Sequence, residues 1–436
     1  RYKTVARITA IRSRRAAAAQ LSLLDESVEK RSRFERIENL DGAPAYIIDI
    51  PETIPQLGYA THQFFRYYGK FPSVLGQEIL AKFGRPGSRV LDCYAGSGTT
   101  LVEAQIAGMP SFGLDINPLA VFSANVKTRY YDLEALQDQY RLLLKKIASS
   151  RDSVALHRSR RSKIDKWFDS DAQVELARIR SALLELEPGQ ERDFWRRTFR
   201  SVIRRTSLAY DGEVRPHVNP VKSPRPPLVA FRDKFADMIA GLRELPHMRR
   251  GTVESISRIG DNRDPSAYAF IGHNPVDIVV AHPPYLNSFN YLQVFSLEFM
   301  WAEGLPDVWQ GWDEKSIRAA EHIAWPATSD QIRAQYYVDL FQAIRSAVSC
   351  LVDNGILAVI VGDATVRGRL EPVHETLWKG LAEQGMKPAE IWYRTTHYGI
   401  GKYAYRHRAD YHGEAVKRDA IMFFEVPKCA ARLAAD

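Results

Sequence analysis

The 436-residue chain is 45% hydrophobic and 26% charged, carries a formal net charge of +8 and has no biased tract. Its longest apolar runs, residues 276–281 and 356–361, are strand-sized; a helix crossing a bilayer needs roughly 18 apolar residues, so a helical membrane protein is excluded. Three cysteines, Cys93, Cys350 and Cys429, offer neither a disulfide framework nor a zinc-ligand spacing; no metal is expected, and a reducing, cytoplasmic setting fits.

The charge is uneven. Residues 141–260 hold 26 basic against 15 acidic side chains and residues 1–40 hold 10 against 5, which leaves the remainder acidic. Such a distribution fits a polyanion-binding surface attached to a catalytic core. The first 24 residues contain no acid and carry Arg7, Arg12, Arg14 and Arg15. They read as a transit peptide or a DNA-contacting arm; without an apolar central run they do not read as a secretory signal.

Along the chain, RVLDCY (89–94) is a short apolar run ending in a Gly-rich turn, followed by a helical stretch at 99–107 and a second strand at 111–114. Three more strand-like runs lie at 256–259, 276–281 and 355–362. Continuous apolar strands separated by helices predict an α/β fold: a doubly wound, mostly parallel sheet with helices on both faces. Between the two blocks, Leu133, Leu136, Tyr140, Leu143 and Leu144 recur at helical spacing, and 165–186 and 191–207 repeat the habit. Residues 214–228 carry five prolines and predict an extended loop. The interruption is too long for a connection and predicts an inserted, mainly helical domain. The expected division is a basic N-terminal arm (1–42), a catalytic domain (43–130 and 251–428) and the insert (131–250).

The strongest local signal is VLDCYAGSGTTLVEAQIAGMPSFGLD (90–115). Gly96 and Gly98 fall in the turn leaving the first strand, where a side chain would block a ligand. The next helix offers free amide donors at its N-terminus. Asp115 ends the second strand, placed to accept hydrogen bonds from ribose hydroxyls. The pattern predicts an adenosine-containing cofactor. The spacing G-x-G-T-T lacks a third glycine, and Asp92 and Glu103 sit awkwardly beside a diphosphate. Both features weigh against NAD and toward a cationic sulfonium with a methionine zwitterion.

The second signal is VDIVVAHPPYLNSFNY (276–291). A strand ends at His282, and Pro283 and Pro284 then set a rigid, extended turn from which Tyr285 projects. Prolines donate no amide hydrogen bond, so the turn presents carbonyl acceptors beside an aromatic ring. That combination suits a flat molecule bearing an NH2 group.

These residues resemble the site-specific DNA amino-methyltransferases, which methylate cytosine N4 or adenine N6. The resemblance rests on VLDCYAGSGTTLVEA, GLDINPLA, the IGDNRD stretch at Asp261, HPPYLNSFNY and GILAVIVGDATVRG (355–368), in that order. Upstream, THQFFRYYGKFP (61–72) is similar to the segment that in this family closes over the cofactor's methionine moiety. Together the matches cover residues 61–128 and 256–426. The resemblance implies S-adenosylmethionine as cofactor, with Asp115 on the ribose, Asp261 on the adenine amino group and Tyr94, Ala95, Gly96, Ser97 and Gly98 along the methionine side. Tyr68, Lys70, Phe71, Asp92, Thr99, Thr100, Ile116 and Asn117 complete the expected cofactor contacts. It further implies a flipped base stacked on Tyr285, with His282, Pro283, Pro284 and Tyr285 as the catalytic turn. Double-stranded DNA is the expected partner, with a cognate restriction or defence nuclease as a further one.

His282 departs from the family, which places Ser, Thr, Asp or Asn there. A neutral imidazole accepts a hydrogen bond and an imidazolium does not. The downstream L-N-S-F-N-Y favours cytosine N4 over adenine N6. Pro284 occupies the place where a 5-methylcytosine enzyme would carry its cysteine nucleophile. An RNA base methyltransferase and a non-catalytic DNA-binding module are the alternatives.

For DNA contact the sequence points to Arg196, Arg197, Arg200, Arg204 and Arg205, interleaved with Phe194, Trp195 and Phe199. A second cluster is RSRRSKIDK (158–166), and a third, at 394–412, includes Lys402 and Arg406. Pro306-Asp307 followed by Asp313-Glu314-Lys315 fits a loose nuclease formula, but its flanks lack strand character and no nuclease activity is expected.

Overall fold

The computed structural model describes residues 33–150, 164–286, 291–302, 330–366, 369–395 and 418–428. The arm up to residue 32, the basic stretch 158–163, residues 287–290 of the second motif, the Pro306–Lys315 pattern, and Lys402 and Arg406 lie outside them. Residues Arg36–Asp436 cluster as one compact unit and Arg1–Glu35 as another.

Nine strands make the main sheet: β1 (Phe34–Leu40), β2 (Ala43–Ile48), β3 (Val90–Asp92), β4 (Ser111–Asp115), β5 (Ser255–Ile259), β6 (Val276–Ala281), β7 (Leu351–Gly362), β10 (Lys387–Thr395) and β11 (Arg418–Val426). Two three-residue strands, β8 (Ala364–Val366) and β9 (Arg369–Glu371), pair apart from it. The spatial order is β1-β2-β10-β11-β7-β6-β3-β4-β5. β7, β6, β3, β4 and β5 run parallel, β10 is parallel to β2, and β11 is antiparallel to both β10 and β7. The sheet is thus mostly parallel, as expected. Beyond β7 the sheet continues through β11, β10, β2 and β1, four strands outside the apolar runs expected from sequence. The stretch expected to be arm up to residue 42 includes strand β1.

The order reverses at β3, whose chain leaves toward β4 while β6 lies on its other side. In open α/β sheets that switch point opens a crevice at the carboxyl ends of the strands. Both sequence motifs end there, one on β3 and one on β6. Helix α1 (Ser73–Phe83) precedes β3, and the motif helix α2 (Thr99–Ala107) starts after Gly98 and stops at Gly108, both left-handed. Helix α3 (Pro118–Thr128) is capped by the Asn117 side chain, which accepts from the Leu119 amide.

Between β4 and β5 lie α4 (Leu133–Ser149), α5 (Ser170–Leu184), α6 (Gln190–Val202) and α7 (Pro227–Met248). They pack around an apolar core with Leu136, Leu176, Phe194, Trp195, Phe199 and Phe231, which Phe64, Phe122 and Trp301 from outside the insert also join. The proline-rich stretch ends in Pro226 and Pro227, the N-cap and first residue of α7, where a missing amide hydrogen costs nothing. The second half of the chain adds α8 (Tyr291–Val294), α9 (Ser296–Ala302), α10 (Asp330–Val348) and α11 (Val373–Glu383). Helices α10 and α11 bury Leu340, Ile344, Leu377 and Trp378 against Val279, Leu357 and Val359 of the sheet.

Candidate active site

At the switch point a cavity, open to solvent, is walled by residues of both motifs. Of the cofactor residues expected from sequence, Lys70, Phe71, Asp92, Tyr94, Ala95, Gly96, Ser97, Thr99, Asp115, Ile116, Asn117 and Asp261 line it. So do His282 and Pro284. Gly98, Thr100 and Tyr68 do not. An added Cβ on Gly98 would lie 2.8 Å from the Ala124 Cβ, so this glycine serves the close approach of α3 rather than a ligand. Thr100 donates its hydroxyl to the Asp92 carboxylate. The Tyr68 hydroxyl donates to the Glu213 carbonyl at 2.9 Å, away from the cavity.

The two acids at the strand ends are held by backbone donors. Asp92 accepts from the Tyr94 amide at 3.0 Å, and burial pushes its pKa up to about 7. Asp115 accepts from the Gly96 and Asn117 amides at 2.8 Å each; burial raises its pKa to about 6. At the other end Lys70 has its pKa lowered to about 8 by the surrounding protein. Its ammonium donates to the His62 carbonyl at 3.3 Å. Asp261 is gripped by Arg263 through both carboxylate oxygens, at 2.6 and 2.9 Å, and its pKa is held below the usual carboxylate value by these hydrogen bonds despite burial.

Glu103, read from sequence as a neighbour of the cofactor, faces the other way. It is buried and accepts from the Tyr59 hydroxyl at 2.5 Å, with His62 Nε2 at 2.6 Å from the same oxygen. On a helix one turn along from the Gly turn, its side chain points to the back of α2 rather than to the strand end.

The second motif follows β6. His282 and Tyr285 meet edge to face, with ring centroids 5.5 Å apart and Nε2 3.3 Å from the hydroxyl. Phe71 sets its edge against the same imidazole at 5.3 Å. The turn is anchored by Tyr336, whose hydroxyl donates to the Pro284 carbonyl at 3.1 Å. Tyr285 lies over Gly362 at the end of β7, where an added Cβ would come within 2.8 Å of its ring. Pro283 is buried, and neither it nor Tyr285 is among the residues that wall the cavity.

The sequence reading missed Tyr67, Gly69, Cys93, Gly260, Asn262 and Tyr291, all on the cavity wall. Tyr67 stacks between Tyr291 at 5.8 Å and Phe295 at 5.2 Å. Asn262 donates to the Cys93 carbonyl at 2.8 Å, which joins the IGDNRD turn to the Gly turn. Adjacency to residues already singled out (Tyr68, Asp261, the HPPY run) was the available signal.

The arginine run needs correction. Arg196, Arg197 and Arg200 are at most 1% exposed and Arg204 is 7% exposed; of the five, Arg205 alone is exposed. Helix α6 is wedged among α3, α5, α7 and α9, so its arginines face rings instead of solvent. Arg197 sits 3.7 Å over Phe65, Arg200 4.6 Å over Phe122 and Arg204 5.4 Å over Tyr68. Burial lowers the pKa of Arg200 to about 9 and that of Arg196 to about 10. Buried guanidinium groups of this kind do not present themselves to phosphates.

No family model matches the chain. It is similar to the type II methyltransferase M.MjaII of Methanocaldococcus jannaschii, 37% identical over 76 residues, or 17% of this chain and 14% of that one. It is also similar to the type II methyltransferase M.BsoBI of Geobacillus stearothermophilus, 24% identical over 319 residues, or 66% of this chain and 60% of the relative. The chain therefore spans less than two thirds of either relative. Among solved structures, the rRNA methyltransferase aviRa of Streptomyces viridochromogenes aligns with 89% of this chain and 97% of its own length, at 13% identity. Its TM-score of 0.35 is too low to bear on substrate. The chain is thus similar to type II methyltransferases. The similarity supports S-adenosylmethionine as cofactor, and the residues that wall the cavity fit it: glycines in the turn, two strand-end carboxylates and a lysine. Among the described residues no helix is long and apolar enough to cross a membrane, and no cluster of His, Cys, Asp or Glu would hold a metal.

Proposed function

We propose that the protein transfers a methyl group from S-adenosylmethionine to the exocyclic amino group of a DNA base, cytosine N4 in preference to adenine N6. The observation that carries this reading is one cavity walled by Asp115 and Asp261 from the cofactor motifs and by His282 and Pro284 from the amine motif. In this reading residues 43–130 and 251–428 form the catalytic domain and residues 131–250 the insert.

The cofactor supplies a methyl carried on a sulfonium. The protein's part is in-line positioning and electrostatics. An aromatic amine is a weak nucleophile because its lone pair is delocalised into the ring. Hydrogen bonds from the NH2 group to the imidazole of His282 and the Pro283 carbonyl localise that pair for attack. Tyr285, packed against His282 and Gly362 behind the cavity wall, supports the imidazole, and Tyr336 holds the turn by its bond to Pro284. Phe71 fixes the imidazole from the cofactor side. Pro284 leaves no thiol for attack on a pyrimidine ring, so carbon methylation lacks its nucleophile here.

Incubation with labelled S-adenosylmethionine and duplex DNA, followed by nucleoside mass spectrometry, tests the reading. N4-methylcytosine is expected. N6-methyladenine overturns the choice of base; 5-methylcytosine, or label only in RNA, overturns the reading itself.

A further inference from the structure

The segment at residues 59–71 has two faces. Tyr67, Gly69, Lys70 and Phe71 wall the cavity. The residues between and before them are tied to the helices inserted between β4 and β5. The Ala60 amide donates to Glu244 of α7 at 2.8 Å. Lys234, also on α7, donates to the Gln63 carbonyl at 2.6 Å. Ser201 of α6 donates to the Phe64 carbonyl at 2.7 Å. Arg66 and Tyr68 donate to the carbonyls of Asp211 and Glu213 in the loop after α6, and Arg204 holds that loop through the Val214 carbonyl at 2.9 Å.

Side-chain packing follows the same division. The Arg197 guanidinium covers Phe65 and bridges to Ser123 on α3 at 2.6 Å, so one buried arginine joins the insert, the segment and the catalytic sheet's own helix. Gly241 on α7 permits contact so close that a Cβ would fall 2.1 Å from the Ala60 carbonyl oxygen. The Tyr59 and His62 bonds to Glu103 tie this stretch to α2.

We propose that helices α6 and α7 are a clamp that positions residues 59–71 against the cofactor, so that the insert governs cofactor affinity and Arg197 of α6 is a positioning residue for that segment. The proposal rests on the reading of the cavity as the S-adenosylmethionine site. It gives two buried arginines a part in this: Arg197 of α6 lies over Phe65 of the segment, and Arg204, just after α6, lies over Tyr68 and donates to the loop that grips it. The inner face of the segment packs on Tyr291, Phe295 and His282, and its outer face is held by α6 and α7, so its order depends on those helices as well.

The test uses the full-length chain, with Arg197→Met and Glu244→Ala. S-adenosylhomocysteine affinity is measured by calorimetry, and affinity for duplex DNA without cofactor by fluorescence anisotropy. The expected result is a loss of roughly tenfold or more in S-adenosylhomocysteine affinity, DNA affinity within about twofold of wild type, and in steady state a raised KM for S-adenosylmethionine with kcat nearly kept. Unchanged S-adenosylhomocysteine affinity with weakened DNA binding overturns the clamp and returns the insert to DNA contact. Because a variant can fail to fold, hydrogen exchange on the wild type provides a second reading. S-adenosylhomocysteine should protect residues 59–71 and the facing turns of α7 together, and protection of the segment alone overturns the proposal. A wild type that binds no S-adenosylhomocysteine overturns the reading of the cavity, and the clamp with it; a wild type that binds beside variants that bind equally well overturns the clamp alone.

Discussion

The Tyr67 ring lies directly over Gly96: a β-carbon added to the glycine would sit 3.1 Å from the ring's Cε1. The contact closes the cavity at its Gly turn, and Gly96 holds a φ of +50°, where an L side chain is strained. Gly96→Ala should therefore push Tyr67 toward the cofactor space. We expect S-adenosylhomocysteine affinity to fall tenfold or more, with a loss of stability of only about 1–2 kcal/mol. Gly98→Ala should do the reverse in emphasis, because its added carbon meets the backbone of α3 at 3.0 Å. Calorimetry and thermal unfolding, measured on both variants, separate the two effects.

Cofactor binding should follow a bell in pH. In the proposed reading Asp115 accepts from the ribose as a carboxylate, with a pKa raised to about 6, and Lys70 is a cation below its lowered pKa of about 8. Affinity should rise as pH passes about 6 and decline as it passes about 8. Asp115→Asn should flatten the acid limb and Lys70→Met the alkaline one, as read by calorimetry across pH 5 to 9. Persistence of the acid limb in Asp115→Asn would assign it to Asp92.

His282 should set a separate limb on the chemical step. In single-turnover methylation with cofactor saturating, the rate should fall at acid pH as the imidazole takes up a proton and stops accepting from the base amine. A His282→Ser variant should keep measurable activity and lose that limb. If the limb is the same in the variant, the imidazole is not the acceptor.

The buried Tyr59–His62–Glu103 cluster gives a stability prediction. Burial raises the Glu103 pKa to about 8 and lowers that of His62 well below its ordinary value. A raised carboxyl pKa favours the fold fully below the unfolded value of about 4.3, and the benefit is lost as pH rises toward 8. Glu103→Gln should thus gain on wild type between pH 5 and pH 8, by on the order of 1–3 kcal/mol in urea unfolding. Glu103→Ala, which leaves the Tyr59 hydroxyl unpaired, should cost about 2–4 kcal/mol at every pH. Equal pH dependence in wild type and Glu103→Gln would show that Glu103 is ionised throughout.

The sequence by itself determined the parts governed by local rules. The strands at 276–281 and 111–114, the helix at 99–107 and the two motifs were legible because a buried parallel strand reads as an apolar run, and a ligand turn needs glycines at fixed places. The parallel sheet followed from their alternation with helices. Tertiary structure alone decided which face each charged side chain turns. Arg197 and Arg200 carry the same residue type and aromatic company as a phosphate-binding helix, yet α6 is enclosed on all sides and their charges lie over Phe65 and Phe122. Glu103, a few residues past the Gly turn, points behind α2 to Tyr59 and His62. Tyr67 rather than Tyr68 lines the cavity, because adjacent residues in an extended segment face opposite ways and only packing chooses between them. Local spacing places a residue on an element, but burial against distant parts of the chain sets what that residue touches.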